Sequence, residues 1–262
     1  MSEMKKSWED EYSIAFAEVD TKNEVFLPHL WNLMQETAWH HADHLALSFS
    51  DLAERQSFWV LSRLSIHIEA YPRWREKIKV KTWLTGMRRL FALRHFSIVS
   101  PSRKIFCTAK SAWLVLDLKS RRPQRIEPLF RKILTLLDSN DAGQEPEKIS
   151  EFARPKKENL FKVCYSDIDM HHHVNNTKYM EWILNSYPLQ MHQDHHIDSF
   201  QINFLAESSH GDEISVYTEP LEDFPPTFLH SVFRKNDGRE LCRARATWKA
   251  IDSHESHGQG VG

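Results

Sequence analysis

The chain has 262 residues, a formal net charge of -2, 41% hydrophobic residues and 27% charged residues. That is enough chain for one large domain or two small ones with a real core, and the charge argues against a general nucleic-acid binder. Only 7 glycines are present, three of them in the polar tail, so no glycine-rich loop is available to cradle a phosphate.

No apolar run approaches the length of a bilayer span, and the first ten residues are polar, without the apolar core of a secretory signal. A cytoplasmic protein is expected. Cys107, Cys164 and Cys242 are too widely spaced for a zinc or redox pair and are expected as buried free thiols.

Residues 1–10 read as a loose end and 12–19 as a strand. Pro28 opens a helical pattern that runs to about His44, with Leu30, Leu33, Met34 and Ala38 on one face. A short helical piece follows at 48–56. From residue 58 the period changes to two, and 59–68, 78–83, 90–99 and 105–118 read as strands. Residues 119–159 form a polar linker with a short helix at 128–137.

The second half, from about residue 160, repeats the first. His95 to Trp113 overlays His230 to Trp248 without gaps at an offset of 135, pairing Cys107 with Cys242. Ile66 to Val80 overlays Ile202 to Val216 at 136, and Asp20, Val25 and Leu30 match Asp169, Val174 and Tyr179 at 149. The repeat is far too long for a solenoid unit. The chain therefore divides into a first domain at 8–118, the linker at 119–159, a second domain at 160–251, and a tail at 252–262 expected to be disordered. Each domain is a long helix packed on several antiparallel strands, an α+β arrangement made twice.

Chemistry concentrates in 164–179, where acids, three histidines and two asparagines crowd together. In an extended segment Asp169, His171 and His173 share a side, and a carboxylate beside an imidazole suits acid/base work near neutral pH. The same run also reads as a polar loop capping the next helix, and three histidines leave metal binding open, although no second cluster has ligand spacing. Asn175 or Asn176 is the expected N-cap of that helix, whose first N–H groups can receive an oxyanion. Glu207 ends a strand at 199–205. Its first-half partner is Tyr71, so the acid is specific to the second half; as a residue type it reads equally as an exposed strand-end glutamate.

The run from Ser166 to Ser186, centred on His173-Val174-Asn175-Asn176-Thr177-Lys178-Tyr179, resembles the signature of the acyl-acyl-carrier-protein thioesterases. So do the segment from Leu116 to Ile126 with Arg121 and Arg122, and the duplication itself. The resemblance implies a tandem, or double, hot-dog fold, the first domain accommodating the acyl chain and the second carrying catalysis. It implies hydrolysis of fatty acyl thioesters on acyl carrier protein, which ends fatty acid synthesis, with no cofactor and no metal. Asp169, His173 and Glu207 match the family's aspartate, histidine and glutamate. His171 stands where the family has asparagine, and Ser208 where some relatives have cysteine.

On this reading Glu207, with His173, activates a water, Asp169 positions the polar groups, and the helix start near Asn175 and Asn176 holds the oxyanion. The face around Trp31, Met34, Trp39 and Trp59 is expected to shape the acyl tunnel. Arg88, Arg89, Arg94, Arg121 and Arg122 are expected to dock the acidic carrier, with its phosphopantetheine-linked acyl chain. No nucleic acid or membrane partner is expected, and a homodimer is left open. An acyl-CoA thioesterase on the same fold, or a non-catalytic acyl-binding module, are the alternatives.

Overall fold

The alternating stretches of the first half become β1 (Ser7–Ser13), β2 (Ser57–Ile68), β3 (Lys77–Arg88), β4 (Phe91–Val99) and β5 (Ile105–Asp117), with α1 (Leu27–His44) and α2 (Phe49–Glu54) ahead of β2. The second half supplies β6 (Glu158–Lys162), α3 (Asn176–Leu184), α4 (Leu189–Asp194), β7 (His195–Phe204), β8 (Glu213–Glu222), β9 (Thr227–Arg234) and β10 (Arg239–Ala250). The computed structural model describes residues 5–126, 143–152, 158–170 and 172–251. His171, the short helix expected at 128–137 and the tail at 252–262 lie outside the described residues.

α1 starts with Pro28 in its first turn and buries Leu27, Leu30, Trp31, Met34, Ala38 and His41, the three-and-four spacing of a single face. Ser48 caps α2 in a capping box with Asp51. At the N-terminus the structure corrects the reading of a loose end. Ser7 to Asp10 belong to β1, an edge strand paired with β3, and the strand ends at Ser13. Its acids misled the reading: Glu9 and Glu11 lie 3.5 and 3.0 Å from Lys79 on the neighbouring strand, a common way of occupying a sheet edge.

Among the described residues, the ten strands form one antiparallel sheet in the order β1-β3-β4-β5-β2-β7-β10-β9-β8-β6. The order is palindromic under the duplication, with β2 and β7 at the seam. There Leu64 lies opposite Ile202 and Ile66 opposite Phe200, pairs that exchange under the offset of 136 and place Ser65 and Gln201 on the pseudo-twofold axis. The core is continuous across this seam: Trp31, Leu64, Phe96, Met180, Phe200 and Trp248 belong to one buried cluster. α1 and α3 are tied by the Asn176 amide, which accepts from Trp31 Nε1 at 2.7 Å and donates to Gln35 Oε1 at 2.7 Å.

Between the halves, residues 143–152 lie against the seam strands. Asn203 on β7 accepts from the Ile149 N–H at 2.7 Å and donates to the Glu147 carbonyl at 3.1 Å, while Arg63 on β2 pairs with Glu145. Gly143 packs so closely on Thr85 that a Cβ there would meet Oγ1 at 2.0 Å.

Two further corrections come from packing. Cys107 and Cys242 are buried as expected, but Cys164 is exposed, since it precedes the short turn of helix at Tyr165–Asp167. The gap-free overlay of His95 on His230 is one residue out. Ala109 pairs with Phe96, whereas Ala244, its repeat, pairs with His230. These partners are thirteen residues apart in the first half and fourteen in the second, so His230 occupies the place of Phe96, facing the core.

Candidate active site

The loop that carries the polar run is a device the chain uses twice. In the second half the Asp169 N–H donates to the His173 carbonyl at 2.9 Å, His172 N–H to the Asp169 carbonyl at 3.0 Å, and Asn175 N–H to the Asp167 carbonyl at 2.8 Å. In the first half the same bonds join Asp20 to Glu24, Asn23 to Asp20 and Phe26 to Glu18, at 2.8, 3.0 and 3.0 Å. Asn23 and His172 both take the left-handed conformation, with φ of 64° and 63°. In each loop the aspartate also accepts from the backbone, Asp20 Oδ1 from Glu24 and Asp169 Oδ1 from His173. Asp169 and His173 are thus bonded to each other and not set side by side along an extended run as expected, and Asp169 makes these bonds as Asp20 does.

What differs is the side chains the turn presents. The second turn presents His173, whose Nδ1 lies 3.3 Å from Oε2 of Glu207 beyond the end of β7. The carboxylate beside this imidazole therefore comes from another strand. In the first half Glu24 replaces His173 and Tyr71 replaces Glu207. Glu24 is 8% exposed, with Oε2 2.7 Å from His196 Nε2 and 3.8 Å from Lys22. The Tyr71 hydroxyl donates to the Ile197 carbonyl, and burial pushes its phenol well up. This half has turned the site into internal ion pairing.

Glu207 is held from three sides. Its carbonyl accepts from Arg234 Nη1 at 3.1 Å. Its neighbour Ser208 is buried, with the N–H donating to the Tyr179 hydroxyl at 3.1 Å and the two hydroxyls 2.8 Å apart. Its Oε2 accepts from Arg121 Nη2 at 2.5 Å. The Ser208 hydroxyl is therefore committed to α3 and ties the strand end to the helix. Tyr179→Phe leaves the Ser208 N–H and hydroxyl buried without that partner. It is expected to cost about 1–3 kcal/mol in urea unfolding.

The paired asparagines divide their labour. Asn175 is the N-cap: its Oδ1 accepts from the N–H and the hydroxyl of Thr177 at 3.0 and 2.9 Å. Asn176 spends its amide on α1. With the Thr177 N–H bonded to the Asn175 side chain and the Lys178 N–H to its carbonyl, the first free helix-start N–H among the described residues is that of Asn176.

The arginines expected on one docking face are scattered. Arg88 and Arg89 are exposed at the tip of the β3–β4 hairpin, and Arg122 is exposed in the loop after β5. Arg94 cannot dock anything: it is 7% exposed, with Nη1 donating to His41 Nδ1 and to Thr82 Oγ1, each at 3.0 Å. Arg121 faces Glu207. Sequence reasoning missed both placements, because each depends on packing between distant segments.

Of the tryptophans expected at an acyl tunnel, Trp31 is sealed in the core with Met34, Trp39 is 40% exposed against Phe49, and Trp59 is half-buried, donating to the Leu47 carbonyl. Among the described residues, no helix is long and apolar enough to cross a membrane.

Comparison with known proteins agrees with this architecture over both halves. The family model for the acyl-ACP thioesterase N-terminal domain matches residues 5–134, and that for the acyl-ACP thioesterase C-terminal domain matches 150–250. A chloroplastic palmitoyl-acyl carrier protein thioesterase of Gossypium hirsutum is 24% identical over 91% of this chain, which spans 62% of that relative's length. A chloroplastic oleoyl-acyl carrier protein thioesterase of Coriandrum sativum is 23% identical over 93% of this chain and 77% of its own. Among solved structures, an acyl-ACP thioesterase from Bacteroides thetaiotaomicron superposes with a TM-score of 0.82 at 28% identity, over 95% of this chain and 100% of that one. The 12:0-ACP thioesterase of Umbellularia californica superposes at 0.83 with 20% identity, covering 94% of each chain. The fold is the tandem hot-dog, and with both of its domains matched in order, the chain belongs to the acyl-ACP thioesterase family.

Proposed function

We propose that this protein hydrolyses the thioester joining a fatty acyl chain to the phosphopantetheine arm of acyl carrier protein, releasing the free fatty acid. The observation that carries this reading is the imidazole–carboxylate pair of His173 with Glu207, in the half that kept the polar loop.

In the proposed mechanism Glu207 Oε2, already facing Nδ1, orients His173 and stabilises its charged form. His173 Nε2 takes a proton from a water as that water attacks the thioester carbonyl carbon. The expectation that Glu207 and His173 together activate the water is thereby divided: His173 receives the proton, and Glu207, whose Oε2 accepts from Arg121 and lies 3.3 Å from Nδ1, orients it. The tetrahedral oxyanion meets the Asn176 N–H at the start of α3. Collapse breaks the carbon–sulfur bond, and the imidazolium returns its proton to the departing thiolate. Asp169 maintains the turn that aims His173, and His171 stays assigned as the residue in the family's asparagine position. The acyl chain is assigned to the first half.

The test is product analysis. A panel of acyl-carrier-protein substrates should release free fatty acid, with Glu207→Ala and His173→Ala as inactive controls and acyl-CoA of equal chain length turned over more slowly. Equal or faster acyl-CoA turnover would move the assignment to an acyl-CoA thioesterase.

Arg88, Arg89 and Arg122 are the proposed docking cations for the acidic carrier. Arg88→Glu with Arg89→Glu is expected to raise KM about tenfold for the carrier-bound substrate and to leave a short, carrier-free thioester unaffected. A rise of equal size on both substrates argues against docking.

A further inference from the structure

Arg121 is built into the fold with more care than a docking cation needs. The Asp117 carboxylate accepts from the N–H and hydroxyl of Ser120, at 2.7 and 2.8 Å, and from Gln124 Nε2 at 3.2 Å. Arg121 N–H closes the turn onto the Asp117 carbonyl at 2.9 Å, and the Asp117 N–H donates to the Arg122 carbonyl at 3.0 Å. Arg121 itself adopts φ of +55°, a conformation that a bulky non-glycine residue occupies only when its surroundings impose it. The guanidinium lies 4.7 Å over the ring of Phe58 on β2. It thereby reaches from the first half across the seam to Glu207 in the second.

The pair that results is exposed, Arg121 by 43% and Glu207 by 44% of their side chains. An exposed ion pair contributes little to stability, so the fold gains little from this arrangement. What it gains is geometry. A strand-end glutamate at this exposure has several rotamers open to it. Here one oxygen, Oε2, is shared between the guanidinium and Nδ1 of His173. A guanidinium can lie over Phe58 and donate to Glu207 at once, which suits this better than an ammonium group would.

We infer that Arg121 is a positioning residue of the reaction centre, supplied by the loop that follows β5 and lies within the region matched by the N-terminal domain model, that holds the Glu207 carboxylate against His173 Nδ1 so that Nε2 faces the thioester. The inference rests on the thioesterase reading for its kinetic consequence, but not for its geometry. It gives the degenerate half a part in the site beyond acyl binding, and it predicts that the two halves do not act separately.

The experiment compares Arg121→Ala and Arg121→Lys with Lys119→Ala, an exposed neighbour in the same loop, on acyl carrier protein substrates and on a short thioester without a carrier. Arg121→Ala should lower kcat on the order of 10²-fold on both substrates, with KM little changed. Arg121→Lys should fall between, and added guanidinium ion should restore part of the lost turnover. Lys119→Ala should match the wild type. A rise in KM confined to the carrier-bound substrate, with kcat intact, overturns the inference in favour of docking, as does a lost kcat that guanidinium does not restore. If the wild type hydrolyses neither thioester, the activity reading fails alone. The side-chain ¹⁵N resonances of His173 then decide: Nδ1 should carry the proton in the wild type and lose that preference in Arg121→Ala, and unchanged resonances overturn the positioning role.

Discussion

Glu207→Gln and His173→Gln are each expected to lower kcat by about 10²–10⁴-fold, and the double variant to fall no further than the worse of the two. Non-additivity follows from the geometry, in which one oxygen of Glu207 serves one nitrogen of His173 at 3.3 Å. Remove either group and the other has no task left. The glutamine variant has a second consequence. Its carboxamide can turn an N–H toward Nδ1 and so favour the tautomer with the proton on Nε2. An imidazole in that state has no lone pair for the incoming water, so loss should be heavy even though shape and volume are preserved. Steady-state turnover of acyl carrier protein substrate at saturation, with unfolding curves to confirm intact folding, makes the measurement. Losses that multiply in the double variant would mean that the two residues act on separate steps. Wild-type turnover in Glu207→Gln would end the dyad assignment.

The polar run at 164–179 was readable because it is dense and because its first-half copy is not. Asp20 and Asp169 match at the sequence level, and the structure shows why an aspartate recurs: both carboxylates accept the N–H that closes the same turn. The carboxylate partner of His173 was harder to place, since the local spacing pointed to Asp169 and the contact is made by Glu207 from a strand end. Local pattern carries helices and half-buried strands, and it carried α1 and β2 to β5 to within a few residues. It fails where a side chain's environment is assembled from distant segments. Arg94 and Arg121 look alike in a basic stretch, yet one is closed in against α1 and the other crosses the seam. β1 was lost because its charges are edge-strand charges. The His95 overlay slipped because the paired positions in the second hairpin are one residue further apart.

The one-residue difference between the two hairpins puts an imidazole in the core where the first half has a phenyl ring, and acid should find it. His230 is fully buried, with Nε2 2.7 Å from the Tyr187 hydroxyl and Nδ1 3.1 Å from the Thr218 hydroxyl. Burial lowers it to about 3. His41 is lowered to about 4, by burial first and then by the Arg94 guanidinium. Its Nδ1 accepts from Arg94 and its Nε2 donates to the Lys5 carbonyl, so it is held neutral in one tautomer. Both folded values lie below the unfolded value of about 6.5. Below pH 6.5 the unfolded chain takes up protons that the folded chain refuses, so stability is complete above that pH and falls as acid is added, until each folded value is reached. At pH 5 each histidine costs about 2 kcal/mol, about 4 together, which is a large share of a typical 5–15 kcal/mol. The molecule itself suggests the test, His230→Phe, which installs the residue of the first half. That variant should be less stable than the wild type at pH 7.5, because Tyr187 and Thr218 lose their partner, by about 1–3 kcal/mol. Between pH 6.5 and 5 it should lose about 2 kcal/mol less stability than the wild type, since the buried imidazole of His230 no longer titrates. Urea unfolding midpoints across that range read the difference. An unchanged pH dependence in His230→Phe would mean that the buried imidazole is not what the acid attacks.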